Sequence, residues 1–488
     1  MELKKYIKQK NYLTHILIVT FILLLIPTVA RYIQDAPILP GDESYYDIYV
    51  ATQNKEFFTA DLPHDNLIVP YKPVITTPYH KMLGFLNGYV SIGWLSFILA
   101  MILGLLSVFL FNRILKRFKI VYFQRFAILM ILILSPLFLR TFLIPDQTYF
   151  IIFLQLLGFY LFSSRKINYL RYLAAIPYLI LSSFGIIHTI IGVVLILGYD
   201  TYVNKKWKYA LLLGAASTLL SLYYYLPVYY KFGFIKTQII SSNILQTYIT
   251  DLGSTQGFGI FALILGVFGI IKTWQDKYTR RYILVYLLLI LLFVFSFVYH
   301  QYVSYLNFIV MIFAGLGFLF LFEMKWELKL IKQITVLIII LGIVFSGVSF
   351  IKRTAMLEPN AEFISALSNV RKQVPQDEII LTHPSYGNIV KYYTERKVLI
   401  DSKSKFIDDY DYYLSLVDTL FQSRSLKKVE ELLQRYNINY ILITKEMKNG
   451  LTWEKDEQGM LFLLENSNKF KRIFVNPNVE LWRYEKTK

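Results

Sequence analysis

The chain contains no cysteine. Disulfides, thiolate metal sites and cysteine nucleophiles are therefore excluded. Charged residues make up only 17% of its 488 positions, against about a quarter in an ordinary soluble domain. Glycine and proline are sparse, at 23 and 15, whereas Tyr and Phe number 39 and 38, a balance that excludes disordered and collagen-like chains. What fills the sequence is apolar: 56% of residues are hydrophobic, and mean hydropathy is +0.46. These residues come in blocks longer than any core strand or helix of a soluble protein needs. The composition rules out a soluble enzyme and describes a polytopic α-helical membrane protein.

The formal net charge is +18, and its location decides its meaning. Lys and Arg outnumber Asp and Glu by 29 to 14 up to Ile351, but only by 22 to 19 after it. In the first part the basic residues sit in short connectors between apolar runs, such as Arg113-Lys116-Arg117-Lys119 and Lys205-Lys206-Lys208. Alternate connectors are nearly free of them. This is the positive-inside pattern of multi-span proteins. It accounts for the basic balance without a nucleic acid partner.

A spanning helix needs about 20 mostly apolar residues. The runs predict about eleven spans, near 14–32, 88–111, 124–143, 147–163, 172–187, 189–203, 209–228, 257–273, 282–299, 304–322 and 333–351. The pair 172–203 is short for two spans, so a re-entrant hairpin stays open there. The first run reads as an uncleaved anchor rather than a signal peptide. With a basic N-terminus in the cytoplasm, an odd number of spans puts the basic connectors inside and residues 352–488 outside. Two long external loops follow, at about 33–87 and 229–256. After Ile351 charge rises and strand-length apolar pieces appear at Glu378–Leu381, Lys397–Ile400, Tyr440–Ile443, Phe470–Val475 and Val479–Tyr484. Helical spacing occurs near 408–422 and 425–436. The expected organisation is a membrane domain, 1–351, followed by an extracytoplasmic α/β domain, 352–488.

Ionisable groups at the edge of a span are costly unless paired or wetted, which makes them functional candidates. Asp42 and Glu43 follow the first span within Gly41-Asp42-Glu43-Ser44-Tyr45-Tyr46-Asp47, and Asp146 lies in Ile144-Pro145-Asp146-Gln147 at the predicted outer end of the fourth. A solvated turn for the first pair and a helix N-cap for Asp146 are the plain alternatives. Basic groups outside are few, notably Lys72 in Pro70-Tyr71-Lys72-Pro73 and Arg140. A fixed cation at headgroup depth beside carboxylates suits a lipid phosphate. Asp251 opens Asp251-Leu252-Gly253 in the second loop, where a cap is the commoner role. His383-Pro384-Ser385-Tyr386-Gly387 reads equally as a pocket lining and as a strand-to-helix turn.

In chain order these segments resemble the C-superfamily glycosyltransferases (GT-C), in the branch of the protein mannosyltransferases and aminoarabinose transferases. That branch places an Asp-Glu pair and aromatics after the first span, a Lys-Pro late in the first external loop, and an Asp at the start of the fourth span. Gly41 to Tyr46, Lys72-Pro73 and Pro145-Asp146-Gln147-Thr148-Tyr149-Phe150 match in turn. The matches cover only about the first 150 residues. The branch often carries a Lys-Gly in a middle span, where this chain has Gly185-Ile186-Ile187-His188-Thr189; the Trp-Trp-Asp signature of oligosaccharyltransferases is absent.

The resemblance implies an enzyme of the cell envelope that moves a sugar from a polyprenyl phosphate, such as dolichyl phosphate, to a hydroxyl on a glycan, lipid or protein. Direct displacement would invert the anomeric centre. Asp42 would activate the acceptor, with Glu43 and Asp146 in support. Lys72, Arg140 and His188 would hold the lipid phosphate, and Tyr45, Tyr46 and Asp251 would touch substrate. No cofactor is required; the oxygen ligands of Asp42 and Asp146 suit Mg²⁺ or Mn²⁺, so a metal stays open. The expected location is the plasma membrane, with the N-terminus cytoplasmic and the C-terminal domain extracytoplasmic. The alternatives are a membrane transporter and a lipid-linked glycan polymerase or ligase. A transporter would carry charge near the centres of several spans, which these spans lack.

Overall fold

The computed structural model describes residues 12–53, 76–164, 168–204, 207–232, 247–254, 256–274, 280–298, 300–404, 409–455 and 457–486. They form two compact units, Met1–Ala30 with Phe97–Ala355, and Arg31–Ser96 with Met356–Lys488. The second unit thus draws on the segment between the first two long helices as well as on the C-terminal segment.

The first unit is helical. Among the described residues, six helices are long and apolar enough to cross a membrane, including Tyr12–Ile33 (α1), Ile92–Arg117 (α4), Val303–Glu323 (α14) and the helix that begins at Lys329. The 22 residues of α1 reach about 33 Å at 1.5 Å per residue, enough for a hydrocarbon core of about 30 Å. The expected run 124–143 is a bent pair, Tyr122–Leu134 (α5) and Pro136–Leu143 (α6), with a 59° angle between them. Proline lacks the N–H that would continue the ladder, and the bend falls there. Gln147–Phe162 (α7), Ile260–Trp274 (α12) and the segment Ile283–Phe297 of α13, Arg280–Val298, are apolar but shorter.

The count of eleven is therefore not confirmed: the helices give six spans, or seven with the bent pair. The largest departure is at 172–187. Helix Ala175–Leu181 runs into a 3₁₀ turn, Ser182–Phe184, and then Gly185 at φ +147°. Only glycine adopts that backbone freely, so the run breaks before α10, Ile186–Tyr199. Polar contacts concentrate at helix ends. Arg117 donates to Ser163 Oγ at 2.6 Å and lies 3.9 Å over the Tyr160 ring, and Arg171 pairs with Asp200.

The second unit is built on a five-stranded sheet of order β2-β1-β3-β5-β4. The strands are β1 (Ile379–Leu381), β2 (Lys397–Val398), β3 (Ile438–Thr444), β4 (Phe470–Val475) and β5 (Val479–Tyr484). β1 runs parallel to β2 and β3, whereas β5 is antiparallel to β3 and β4. β1 is buried throughout and β3 nearly so, as parallel strands covered on both faces are. At the edge, β4 exposes Lys471 and Arg472. Helix Leu426–Arg435 (α19) packs on β3 and buries Val429 and Leu433, while Tyr410–Gln422 (α18) buries Leu416, Val417 and Leu420 and packs on helix Gly459–Asn466. Helix Gly387–Thr394 (α17) packs against Asp42–Gln53 (α2), which in turn packs on Pro78–Leu86 (α3).

Candidate active site

After α1 the chain is fixed by Arg31. Its guanidinium, with the residue 1% exposed, donates to the carbonyl oxygens of Pro37 at 2.6 Å, Leu357 at 2.5 Å, Pro359 at 2.7 Å and Leu39 at 3.4 Å. A planar fork of five N–H donors suits such a ring of carbonyls. Gly41, at φ +76°, then turns the backbone, and its N–H donates to Glu358 O at 2.7 Å. Asp42 is the first residue of α2 as a result.

Both carboxylate oxygens of Asp42 are held by the C-terminal segment. Oδ1 accepts from the backbone N–H of Ile389 at 2.9 Å; Oδ2 accepts from Asn388 Nδ2 at 2.7 Å and from Ser402 Oγ at 2.8 Å. Asn388 is fully buried, donates also to Ser402 Oγ at 2.9 Å, and leaves its own Oδ1 without a partner. An unsatisfied buried acceptor costs about 1–3 kcal/mol, so the amide is turned to serve the carboxylate. Burial pushes the Asp42 carboxyl up to about 7, against the three donors that favour its ionised form, and the nearby Asp401 adds to the rise.

Ser402 sits on a rigid turn. Asp401 Oδ1 accepts from Lys403 N at 2.8 Å and Ser404 Oγ at 2.9 Å, while its Oδ2 pairs with Lys391 Nζ at 2.6 Å. Lys391 also lies 5.0 Å from the centre of the Tyr49 ring on α2. Glu43 occupies the first turn of α2. Tyr45 is buried, donates to Leu39 O at 3.1 Å and stands 3.3 Å from Tyr393 Oη, whereas the Tyr46 ring meets His80 edge-on. His80 Nδ1 accepts from Thr77 N at 3.1 Å, which leaves the proton on Nε2 for Asp47 Oδ1 at 2.8 Å.

In the first unit, Asp146 caps α7 by accepting from Thr148 N at 2.8 Å. Arg140 is buried on α6, and Gln256, with its amide oxygen turned inward, accepts from Arg140 Nη1 at 2.6 Å and Nε at 3.1 Å. The backbone carbonyl of Gln256 accepts from His300 Nε2 at 2.7 Å, and His300 Nδ1 is buried with no partner. His188 is buried, with Nδ1 at 2.9 Å from Tyr305 Oη and its ring edge-on to Tyr302. Asp251 accepts from Ile260 N, the first residue of α12, and from Ser346 Oγ, both at 2.7 Å. Both oxygens of Asp251 are thus spent on capping and packing.

Of the residues singled out in the sequence, Asp42, Glu43, Tyr45 and Tyr46 share one short helix of the second unit. Asp146, Arg140, His188 and Asp251 belong to the first. Lys72 and the stretch 233–246 lie outside the described residues. Sequence reasoning missed Asn388, Ile389 and Ser402, and also Gln256 and His300. The one usable signal was the turn His383–Gly387, since the helix it opens supplies Asn388 and Ile389. Among the described residues, no group of three or more His, Asp or Glu side chains is arranged to hold a metal ion. Around Asp42 the protein presents hydrogens rather than lone pairs, and a divalent ion there would have to displace them.

No family profile matches the sequence, and no curated protein matches it. Solved structures do. ArnT from Cupriavidus metallidurans, bound to undecaprenyl phosphate, is similar over 97% of this chain and 98% of its own, with TM-score 0.55 and 10% identity. The Archaeoglobus fulgidus oligosaccharyltransferase tethered to an acceptor peptide is similar over 90% of this chain and 70% of its own, with TM-score 0.61 and 11% identity. Arabinofuranosyltransferase AftD from Mycobacteria covers 98% of this chain with 42% of its own, at TM-score 0.54 and 11% identity. The chain thus shares its fold with these membrane-enzyme structures, at sequence identities of 10–11%.

Proposed function

We propose that the chain is a membrane glycosyltransferase that moves a sugar from a polyprenyl phosphate to an acceptor hydroxyl on the outer face of the membrane. The observation that carries the reading is the end-to-end likeness to a structure bound to undecaprenyl phosphate. A carboxylate near neutrality at the start of α2 supports it chemically. A general base works best when its pKa lies near the operating pH.

In the proposed step the acceptor oxygen attacks the anomeric carbon and gives its proton to Asp42. The bond from that carbon to the phosphate oxygen breaks, and the lipid phosphate leaves with the electron pair. One displacement inverts the anomeric centre. The departing phosphate is a stable anion and needs neutralising rather than protonation. Arg140, with Gln256 and His300 beside it in the first unit, is proposed to bind that phosphate, and the sequence offers Lys72 as a second cation; a guanidinium binds phosphate through paired N–H donors. His188, hydrogen-bonded to Tyr305, is proposed to contact the lipid phosphate as well. Glu43 and Asp146 are proposed to orient the acceptor. No cofactor is required in this scheme.

The test is sugar transfer by Asp42→Asn, with folding and donor binding confirmed. Loss of a general base lowers the rate by about 10²–10⁴-fold. Undiminished transfer removes Asp42 from the role.

A further inference from the structure

Three of the roughly four lone-pair sites of the Asp42 carboxylate are filled, all by groups that lie some 350 residues further along the chain: Asn388, the Ile389 N–H and Ser402. Here the Asn388 amide bonds both Asp42 and Ser402 through Nδ2 while its own carbonyl oxygen stays unpartnered. Ser402 is in turn fixed by the turn around Asp401 and its buried pair with Lys391. Each layer behind the carboxylate is therefore built to fix its direction, and the remaining site lies on Oδ1.

We infer that Asn388 and Ser402 are positioning residues for the proposed reaction: they hold Asp42 with its one remaining lone pair turned to the acceptor hydroxyl. This rests on the reading of Asp42 as base. It makes the C-terminal segment part of the reaction rather than a cover for it. The ionisable group that acts on Asp42 is Asp401, itself paired with Lys391; the elements packed there also carry Glu43 and Asp47 on α2, His80 on α3, and Tyr392 and Tyr393 on α17. Asn388 and Ser402 themselves do not titrate, so their removal changes no charge.

The experiment uses the full chain in nanodiscs with Asn388→Ala, Ser402→Ala and Ser402→Thr. Removing a donor to the carboxylate raises its pKa, so each alanine variant moves the acid limb of the pH–rate profile up by about 0.5–1 pH unit. Loosened geometry lowers kcat by about 10-fold, and Ser402→Thr, which keeps the hydroxyl, restores both. A lowered kcat with an unmoved limb would mark a merely structural role and overturn the inference, as would wild-type behaviour of both alanine variants. Should Asn388→Ala fail to fold, Ser402→Ala, on a partly exposed turn, decides alone. The ¹³C carboxyl signal of Asp42, assigned by its loss in Asp42→Asn, gives a reading without turnover. If the wild type transfers no sugar from any polyprenyl-phosphate donor, the functional reading fails. The positioning claim fails with it, whereas in a protein that does transfer sugar an Asp42 midpoint unmoved by Ser402→Ala overturns the positioning claim alone.

Discussion

Lys391 and Asp401 lie 2.6 Å apart with neither side chain exposed. Their attraction is offset by the desolvation of two charges, so the pair adds little to stability as a unit, but breaking it strands a buried charge. Lys391→Met is expected to destabilise the protein by about 3–5 kcal/mol. The double variant Lys391→Met, Asp401→Leu should recover most of that loss. Thermal unfolding of the purified chain checks both, and equal losses in the single and double variants would contradict the account.

Arg31 predicts a sharper specificity. Four carbonyl oxygens converge on its guanidinium, and an ammonium offers only three donors from one point. Arg31→Lys keeps the charge yet should lose about 2–4 kcal/mol, since bonds to charged donors contribute about 1.5–3 kcal/mol each. The measurement is the unfolding midpoint with limited proteolysis of the segment after Met356. A lysine variant as stable as wild type would mean charge alone suffices.

Asp42 makes stability depend on pH in the direction opposite to most aspartates. Burial raises its pKa from 3.8 to about 7, so the folded state holds the proton more tightly than the unfolded one. The favourable contribution is complete below about pH 4 and is lost as pH rises through about 7. The unfolding temperature of wild type relative to Asp42→Asn should therefore fall between pH 4 and pH 8. A difference that is flat or rises across that window would show that the three donors outweigh burial.

Much of this architecture was legible in the sequence because it is local. The strands Phe470–Val475 and Val479–Tyr484 match their apolar pieces, and α18 and α19 begin within two residues of the expected helices. Hydropathy did not show where backbone chemistry breaks the helices, at Pro136 and Gly185. The surroundings of Asp42 were not legible, since no short-range pattern ties it to Asn388 or Ser402. The same holds for Arg140, whose partner Gln256, held in turn by His300, is distant in sequence and carries no motif. The expected boundary at Ile351 also gave no hint that residues 31–96 fold with the C-terminal segment.

Helices α12 and α14 approach so closely that side chains are excluded. A β-carbon at Gly269 would meet the Phe313 carbonyl, and one at Gly317 the Leu265 carbonyl. Small residues allow such contact where lipid tails offer helices no hydrophobic drive to associate. Gly269→Val and Gly317→Val should each destabilise the first unit by about 3 kcal/mol through overpacking. Yield of monodisperse protein in mild detergent, with its melting temperature, is the readout. Wild-type values would mean that the helices can part without loss.

The sheet of the second unit ends on one side in a two-residue strand and on the other in β4, with Lys471 and Arg472 facing outward. Short borders and outward cations deter foreign backbones from extending a sheet. Copies crowded side by side in a bilayer can therefore diffuse past one another without their globular portions zipping into fibrils.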